Sequence, residues 1–499
     1  MFGKTSTIVI GFLILLWLYA PSLEFPFLMD DYELLDGSRL TSASDVLKAF
    51  SPVHFSSVSG EQVPFYRPLA TYVYFGVMQI LVGANAFWFR IINLCLMALI
   101  SFMIYFLIIN LKGDGPTAFI AAVLFPVNMA HALTQLWISC APELFAAFFA
   151  TASVLAYTVS VNRRMPAYLA LSVFLFLLAL LSKEIGIAVP GIIVLFEALY
   201  DFPKNRKDSL LLGARLCPFL VITLCYLFIR LHYFNVLEAG AYGLSVGPFV
   251  IRYLGVYLSW AIDSYLAGFL GVSPLDSLFR DSLVWKTNWW LVSLKLLIVA
   301  GMLSYFSWRQ SWRLERISVF ALGWFLCALF PVLFAPQRLY HYYLLLPDVG
   351  LMLLIGSILS KMATTLSRRS KTLAAAVCVI FMAGILARST FVIRREEARL
   401  HTVTLRMRNV EKQLLDKIPN PPDDSGFIFT GDYNADWLRN LSCAIRVLYD
   451  NPTLNATGLE NGRVPEKAKR STDPIYFVHV QNDIVYVTYP GQRSPLFRQ

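Results

Sequence analysis

Long apolar runs, each closed by a short polar turn, repeat along the chain as far as Ile393. Runs of this kind read as membrane-spanning helices, and the pattern predicts about eleven of them. They fall at residues 6–19, 87–111, 117–129, 138–161, 167–181, 185–200, 210–231, 289–306, 318–334, 343–359 and 373–393. Two further apolar stretches carry charge where a span would not tolerate it. Residues 66–82 begin with Arg67 and Pro68, and residues 250–270 contain Arg252 and Asp263. Both are read as helices lying along the interface, the first within a long outer loop (22–86) and the second within an outer segment (233–288). Residues 44–50 form a short surface helix in the same first loop, with Ser44 as its cap.

Charge gives the runs a direction. Lys112, Arg163, Arg164, Lys204, Arg206, Lys207, Arg309, Arg313, Arg316, Lys361, Arg368, Arg369 and Lys371 all lie in short connections. If residues 66–82 crossed the bilayer, the 163–164 and 204–207 clusters would face outward; the interfacial reading keeps them in the cytoplasm, as the positive-inside rule favours. Lys4 then lies inside, the first run reads as an uncleaved span because no small-residue cleavage site follows it, and the acidic stretch from Met29 to Glu33 lies outside.

After Arg394 the periodicity changes. A charged helix is expected over 396–417, a turn over 419–425, a strand over 427–430, a helix over 437–449 and a hairpin of strands 475–480 and 484–489 around Asn482 and Asp483. The expected organisation is an all-α polytopic membrane domain (1–393) followed by a small extracytoplasmic α+β domain (394–499).

Composition agrees with this division and removes alternatives. The 499 residues are 57% hydrophobic and 15% charged. The net charge of +10 is spread over membrane-flanking loops, which argues against nucleic acid as a partner. Six of the 7 cysteines lie inside apolar runs and only Cys443 in the polar tail, so no disulfide framework or paired-cysteine metal pattern follows. Phosphate-binding loops and HExxH are also absent from the sequence.

The candidate chemistry begins at Asp30 and Asp31, adjacent carboxylates just past the first span. One can take a proton from an acceptor hydroxyl while the other holds a cation or has its proton affinity raised by its neighbour. The bland reading is a solvated acidic turn. Downstream, Tyr66-Arg67-Pro68-Leu69, Phe89-Arg90-Ile91-Ile92-Asn93-Leu94, Trp137-Ile138-Ser139 and Ser182-Lys183-Glu184 through Pro190 follow in order. With Leu28-Met29-Asp30-Asp31-Tyr32, this series resembles the outer-loop motifs of the GT-C superfamily of membrane glycosyltransferases, in its protein O-mannosyltransferase-like and aminoarabinose transferase-like branches. The chain departs from that pattern at Phe125-Pro126-Val127-Asn128 and Gln135, where the family carries a glutamate, and it has no helical-repeat tail.

The resemblance implies a sugar carried on a polyprenyl phosphate, an extracytoplasmic acceptor, and inversion at the anomeric carbon. In those terms Asp30 or Asp31 is the base. Arg67, Lys183 and Arg338, with Tyr340 and His341, bind the donor phosphate, and Tyr66, His131, Glu184 and Asp263 line the cavity. A divalent cation on Asp30 and Asp31 is left open as cofactor. The expected location is a bacterial inner membrane, with the N-terminus cytoplasmic. A rival reading of the same features is a carrier or flippase for lipid-linked sugars, in which intramembrane charges matter and the outer aspartates do not.

Overall fold

A computed structural model describes residues 4–54, 65–234, 245–265, 297, 315–335, 339–368, 370–431, 441–458 and 474–490. Within these residues the apolar runs are helices. In chain order they are α1 (Lys4–Tyr19), α2 (Asp30–Gly37), α3 (Ala43–Ala49), α4 (Tyr74–Val82), α5 (Ala86–Asn110), α6 (Gly115–Leu124), α7 (Ala132–Leu136), α8 (Ala141–Arg163), α9 (Pro166–Ser182), α10 (Val189–Tyr200), α11 (Arg206–Tyr233), α12 (Phe249–Tyr265), α13 (Arg316–Leu329), α14 (Leu345–Ser367) and α15 (Lys371–Lys417). Among the described residues five helices are long and apolar enough to cross a membrane, or six if the pair bent by 45° at Gly115–Val127 and Met129–Leu136 counts as one. The stretch Pro68–Val82 belongs to the shorter apolar helices, and the expected span 289–306 lies outside the described residues apart from Leu297.

Polar contacts sort the connections into two groups at opposite ends of α5. Near its start, Arg90 donates to the carbonyls of Phe25, Pro26 and Leu136. At its far end Asn110 donates to Thr158 and accepts from Asn162. The connection after α5 is tied in turn to α14, because Ser360 donates to Asp114. The helical rise from Arg90 to Asn110 separates the two groups by roughly 30 Å. The acidic stretch therefore lies at one end, and the 112–114 and 162–164 turns lie at the other.

Three details differ from expectation. The span 373–393 and the charged helix 396–417 are one helix of 47 residues. Gly384 is its only glycine and it has no proline before Pro419, so nothing interrupts propagation where the polarity changes. The cap of α3 is Ser42, not Ser44, because a capping box with Asp45 closes there. In the tail, β1 (Gly426–Gly431), α16 (Leu441–Leu448), β2 (Asn455–Gly458), β3 (Ile475–Gln481) and β4 (Ile484–Thr488) form a sheet of order β2-β1-β3-β4. Strand β2 was not expected; it is four residues long and half-buried, too short to show alternation. Strand β1 is parallel to β2 and β3, and the hairpin β3–β4 is antiparallel as read.

Helices α13 and α14 meet closely at Gly350, where an added Cβ would stand 2.5 Å from the Ala321 carbonyl and 2.8 Å from the Phe325 nitrogen. Backbone atoms of a packed helix cannot give way. Gly350→Ala is expected to cost about 1–3 kcal/mol, seen as a lower Tm in detergent; an unchanged Tm contradicts the packing.

Candidate active site

The stretch that opens α2 is a tight turn. Asp31 N donates to Leu28 O at 2.9 Å, and the Asp31 carboxylate accepts from Leu28 N at 2.8 Å. Between them Met29 has φ 47° and ψ −114°, a region normally left to glycine at the second residue of such a turn. The other Asp31 oxygen accepts from Ser139 N at 2.7 Å and from the Ser139 hydroxyl. Ser139 lies in the Trp137-Ile138-Ser139 segment, so two motifs distant in sequence meet here. Asp31 is 0% exposed. Burial pushes its carboxyl up to about 6, against the hydrogen bonds from Ser139 and Leu28 and the charge of Arg90, which pull it down. Asp30, the first residue of α2, is only half-buried.

Arg90 is the second anchor. Fully buried, it donates to Pro26 at 3.0 Å and to Leu136 at 2.8 Å, fastening the segment before the turn to the segment before Ser139. It belongs to the Phe89–Leu94 motif, but its function as a staple depends on carbonyls that sequence cannot place.

Lys183 pairs with Glu143. Lys183 caps the C-terminal end of α9 and Glu143 lies in the first turn of α8, so each charge sits at the helix end whose dipole favours it. The Lys183 ammonium also lies 4.7 Å from the centre of the Tyr343 ring. Arg67 grips Glu184 with two bonds, Nε at 2.8 Å and Nη2 at 2.5 Å. Although burial raises the Glu184 carboxyl, Arg67 holds it well below the usual carboxylate range. Electrostatic reach joins the groups: Lys183, Asp31 and Asp30 all act on Cys140.

Lys183 and Glu184 stand at the wall of a cavity of about 420 Å³. Its other lining is largely apolar, with Ile187, Leu227, Val332 and Phe334 among it, and it carries Tyr226, Arg230 and Tyr343. Arg230 was not singled out in the sequence, because it reads as a charge at the end of α11.

The remaining expected residues distribute unevenly. Tyr66 is buried and donates to the Phe50 carbonyl, so it braces the outer loop and is not part of the cavity lining. His131 lies in a buried cluster, 2.9 Å from Asp348, which also accepts from Asn128. His341 is buried and stacked on Trp260 at 3.8 Å, while Tyr340 stacks on Tyr342. None of these three lines the cavity. Arg338 lies outside the described residues, as does the side chain of Asp263, whose backbone belongs to α12.

A divalent cation on the aspartate pair fits poorly. Leu28 and Ser139 take three of the roughly four lone-pair sites of the Asp31 carboxylate, and among the described residues no group of three or more His, Cys, Asp or Glu is placed to hold a metal.

Helices, outer loop and tail together have the fold of the GT-C membrane glycosyltransferases. The chain superposes on ArnT from Cupriavidus metallidurans bound to undecaprenyl phosphate with a TM-score of 0.51 at 13% identity, covering 96% of this chain and 94% of that one. Against the archaeal oligosaccharyltransferase AglB from Archaeoglobus fulgidus, in complex with an inhibitory peptide and a dolichol-phosphate, the TM-score is 0.51 at 14% identity over 90% of this chain and 64% of that one. In sequence it is 28% identical over 200 residues to the human protein O-mannosyl-transferase TMTC3, covering 39% of this chain and 21% of that protein. It is 30% identical over 165 residues to human TMTC1, covering 31% and 18%. The chain thus spans about a fifth of the length of these curated relatives. No family model matches it.

Proposed function

We propose that the protein is a glycosyltransferase that moves a sugar from a polyprenyl-phosphate donor to an extracytoplasmic acceptor hydroxyl, with inversion at the anomeric carbon. The carrying observation is a half-buried carboxylate, Asp30, on a pinned turn, with Lys183, at the edge of an apolar cavity, in electrostatic reach of the same Cys140. Asp30 takes the acceptor proton as its oxygen attacks the anomeric carbon. The bond from that carbon to the phosphate oxygen breaks, and polyprenyl phosphate leaves with the electron pair. Lys183, with Arg230 and the Arg67–Glu184 pair, steadies the phosphate, and the apolar lining receives the start of the isoprenoid chain. Asp31, with both oxygens engaged, holds the turn.

The undecaprenyl phosphate and dolichol-phosphate named for the two structural neighbours support a lipid-phosphate donor here. The proposed setting is a bacterial inner membrane, with residues 1–393 as the catalytic domain, residues 394–499 outside, and the N-terminus in the cytoplasm. The test uses purified protein with radiolabelled polyprenyl-phosphate sugars and glycolipid, polysaccharide or peptide acceptors. Label is expected on an acceptor, undiminished by a chelator. Movement of intact donor across vesicles without transfer favours the carrier reading instead.

A further inference from the structure

Outside the reaction centre, a dense set of polar contacts joins α2 to the tail. Asp36, near the end of α2, is only 8% exposed. Its carboxylate accepts from Arg446 in α16 at 3.2 Å and from Arg39 at 3.3 Å. Nearby in α16, burial pushes the Cys443 thiol up to about 12, with the Asp36 charge adding to the rise. Arg39 extends the set to Asp450 at 2.7 Å and to the Arg446 carbonyl at 2.9 Å. Nearer the front of α2, Tyr32 donates to Glu411 on α15 at 2.5 Å. Every tail partner lies hundreds of positions along the chain from α2.

Apolar packing alone does not seat α2 against the tail. A cavity of about 630 Å³ opens at this junction, walled by Glu24, Phe27, Tyr32, Phe87, Arg408 and Glu411 among others. An eight-residue helix has little stability of its own, so its placement comes from what grips it. One end is gripped by Asp31 on Ser139, and the other by Asp36 on the tail. Buried charge networks are poor stabilisers compared with apolar contacts, but they are directional.

We infer that Asp36, held by Arg446 and Arg39, is a positioning residue: the tail domain fixes α2 through it, and thereby sets the Asp30 carboxylate against the acceptor hydroxyl. This rests on the reading of Asp30 as base. It assigns the tail a part in catalysis that does not require it to touch either substrate. Displacement of a catalytic group by an ångström lowers turnover by up to about a hundredfold without changing affinity for a substrate held elsewhere.

The test is a double-mutant cycle in the full-length protein, Asp36→Asn, Arg446→Gln and both together, with kcat and donor KM from the transfer assay and hydrogen exchange of residues 28–38. Each single variant is expected to lower kcat about 10- to 100-fold with donor KM within about twofold. The double variant should fall no further than the worse single, because the two residues act through one contact. Exchange should quicken in residues 28–38 and stay unchanged in α10. Tyr32→Phe, which removes one hydroxyl, supplies the same reading if the Asp36 variants fail to fold. Wild-type kcat in the variants, losses that multiply in the double, or donor KM rising in step with the fall in kcat overturns the inference. Asp30→Asn is run alongside. If it is inactive while Asp36→Asn behaves as wild type, only this inference fails; if it turns over normally, the base reading fails as well.

Discussion

Asp30→Asn is expected to leave the protein folded and able to bind its donor while lowering turnover roughly a thousandfold, about 4 kcal/mol of barrier. The substitution keeps the shape of the side chain and removes its charge and its ability to take a proton. Because Asp30 is half-buried and begins its helix, little of the fold depends on it. Asp31→Asn should behave differently. An amide has one acceptor oxygen, so it would turn an NH₂ toward either Leu28 N or the Ser139 donors, leaving a buried donor unmatched at about 1–3 kcal/mol. Lower Tm together with lower kcat is therefore expected for Asp31→Asn, and lower kcat alone for Asp30→Asn. The pH profile adds a third readout. With its carboxyl pushed up to about 6 by burial, Asp31 holds its proton more tightly in the folded turn than in the unfolded chain, so stability is lost as pH rises through about 6 and the buried carboxylate ionises. Tm should fall as pH rises through about 6, and Asp31→Asn should lose that step. Wild-type turnover in Asp30→Asn would sink the proposed chemistry and favour the carrier.

The elements that hydropathy controls were legible, and the pairings were not. Apolar runs mark helices because lipid and core both demand internally bonded backbone, so α5, α8, α11 and α14 appear close to where periodicity puts them. The meeting of Asp31 with Ser139 was half-visible: both motifs stood out, but the contact spans 108 positions. Charge partners were misleading. Lys183 and Glu184 are neighbours in sequence and invite pairing with each other. Yet Lys183 is extended, with φ −162° and ψ 149°, and successive side chains of extended backbone point to opposite sides. Lys183 therefore turns to Glu143 and Glu184 to Arg67. Asp348, Arg230 and Asp36 gave no signal, because each looks like an ordinary charge on a helix until the fold brings its partners from elsewhere.

That crossed pairing yields the second large effect. Lys183 is 2% exposed and Glu143 7% exposed. Lys183→Met leaves a buried carboxylate without its cation, a loss of about 3–5 kcal/mol that lowers Tm whatever else Lys183 does. Loss of activity in that variant alone therefore says little. The informative variant is Lys183→Met with Glu143→Leu, which replaces the pair by apolar groups and is expected to bring Tm back near wild type. Donor recognition should not return with it. The cation that met the phosphate is gone, and a charge-assisted hydrogen bond of about 1.5–3 kcal/mol corresponds to a donor KM raised roughly 10- to 100-fold. Arg230 and Arg67 remain, so binding weakens without vanishing, and raised donor concentration should recover much of kcat. If the double variant regains both Tm and donor KM, Lys183 is a strut between α8 and α9 and the phosphate is held by the arginines. If it regains Tm alone, the same ammonium that closes the resting ion pair is the one that the donor phosphate recruits, with Glu143 as the group it must leave.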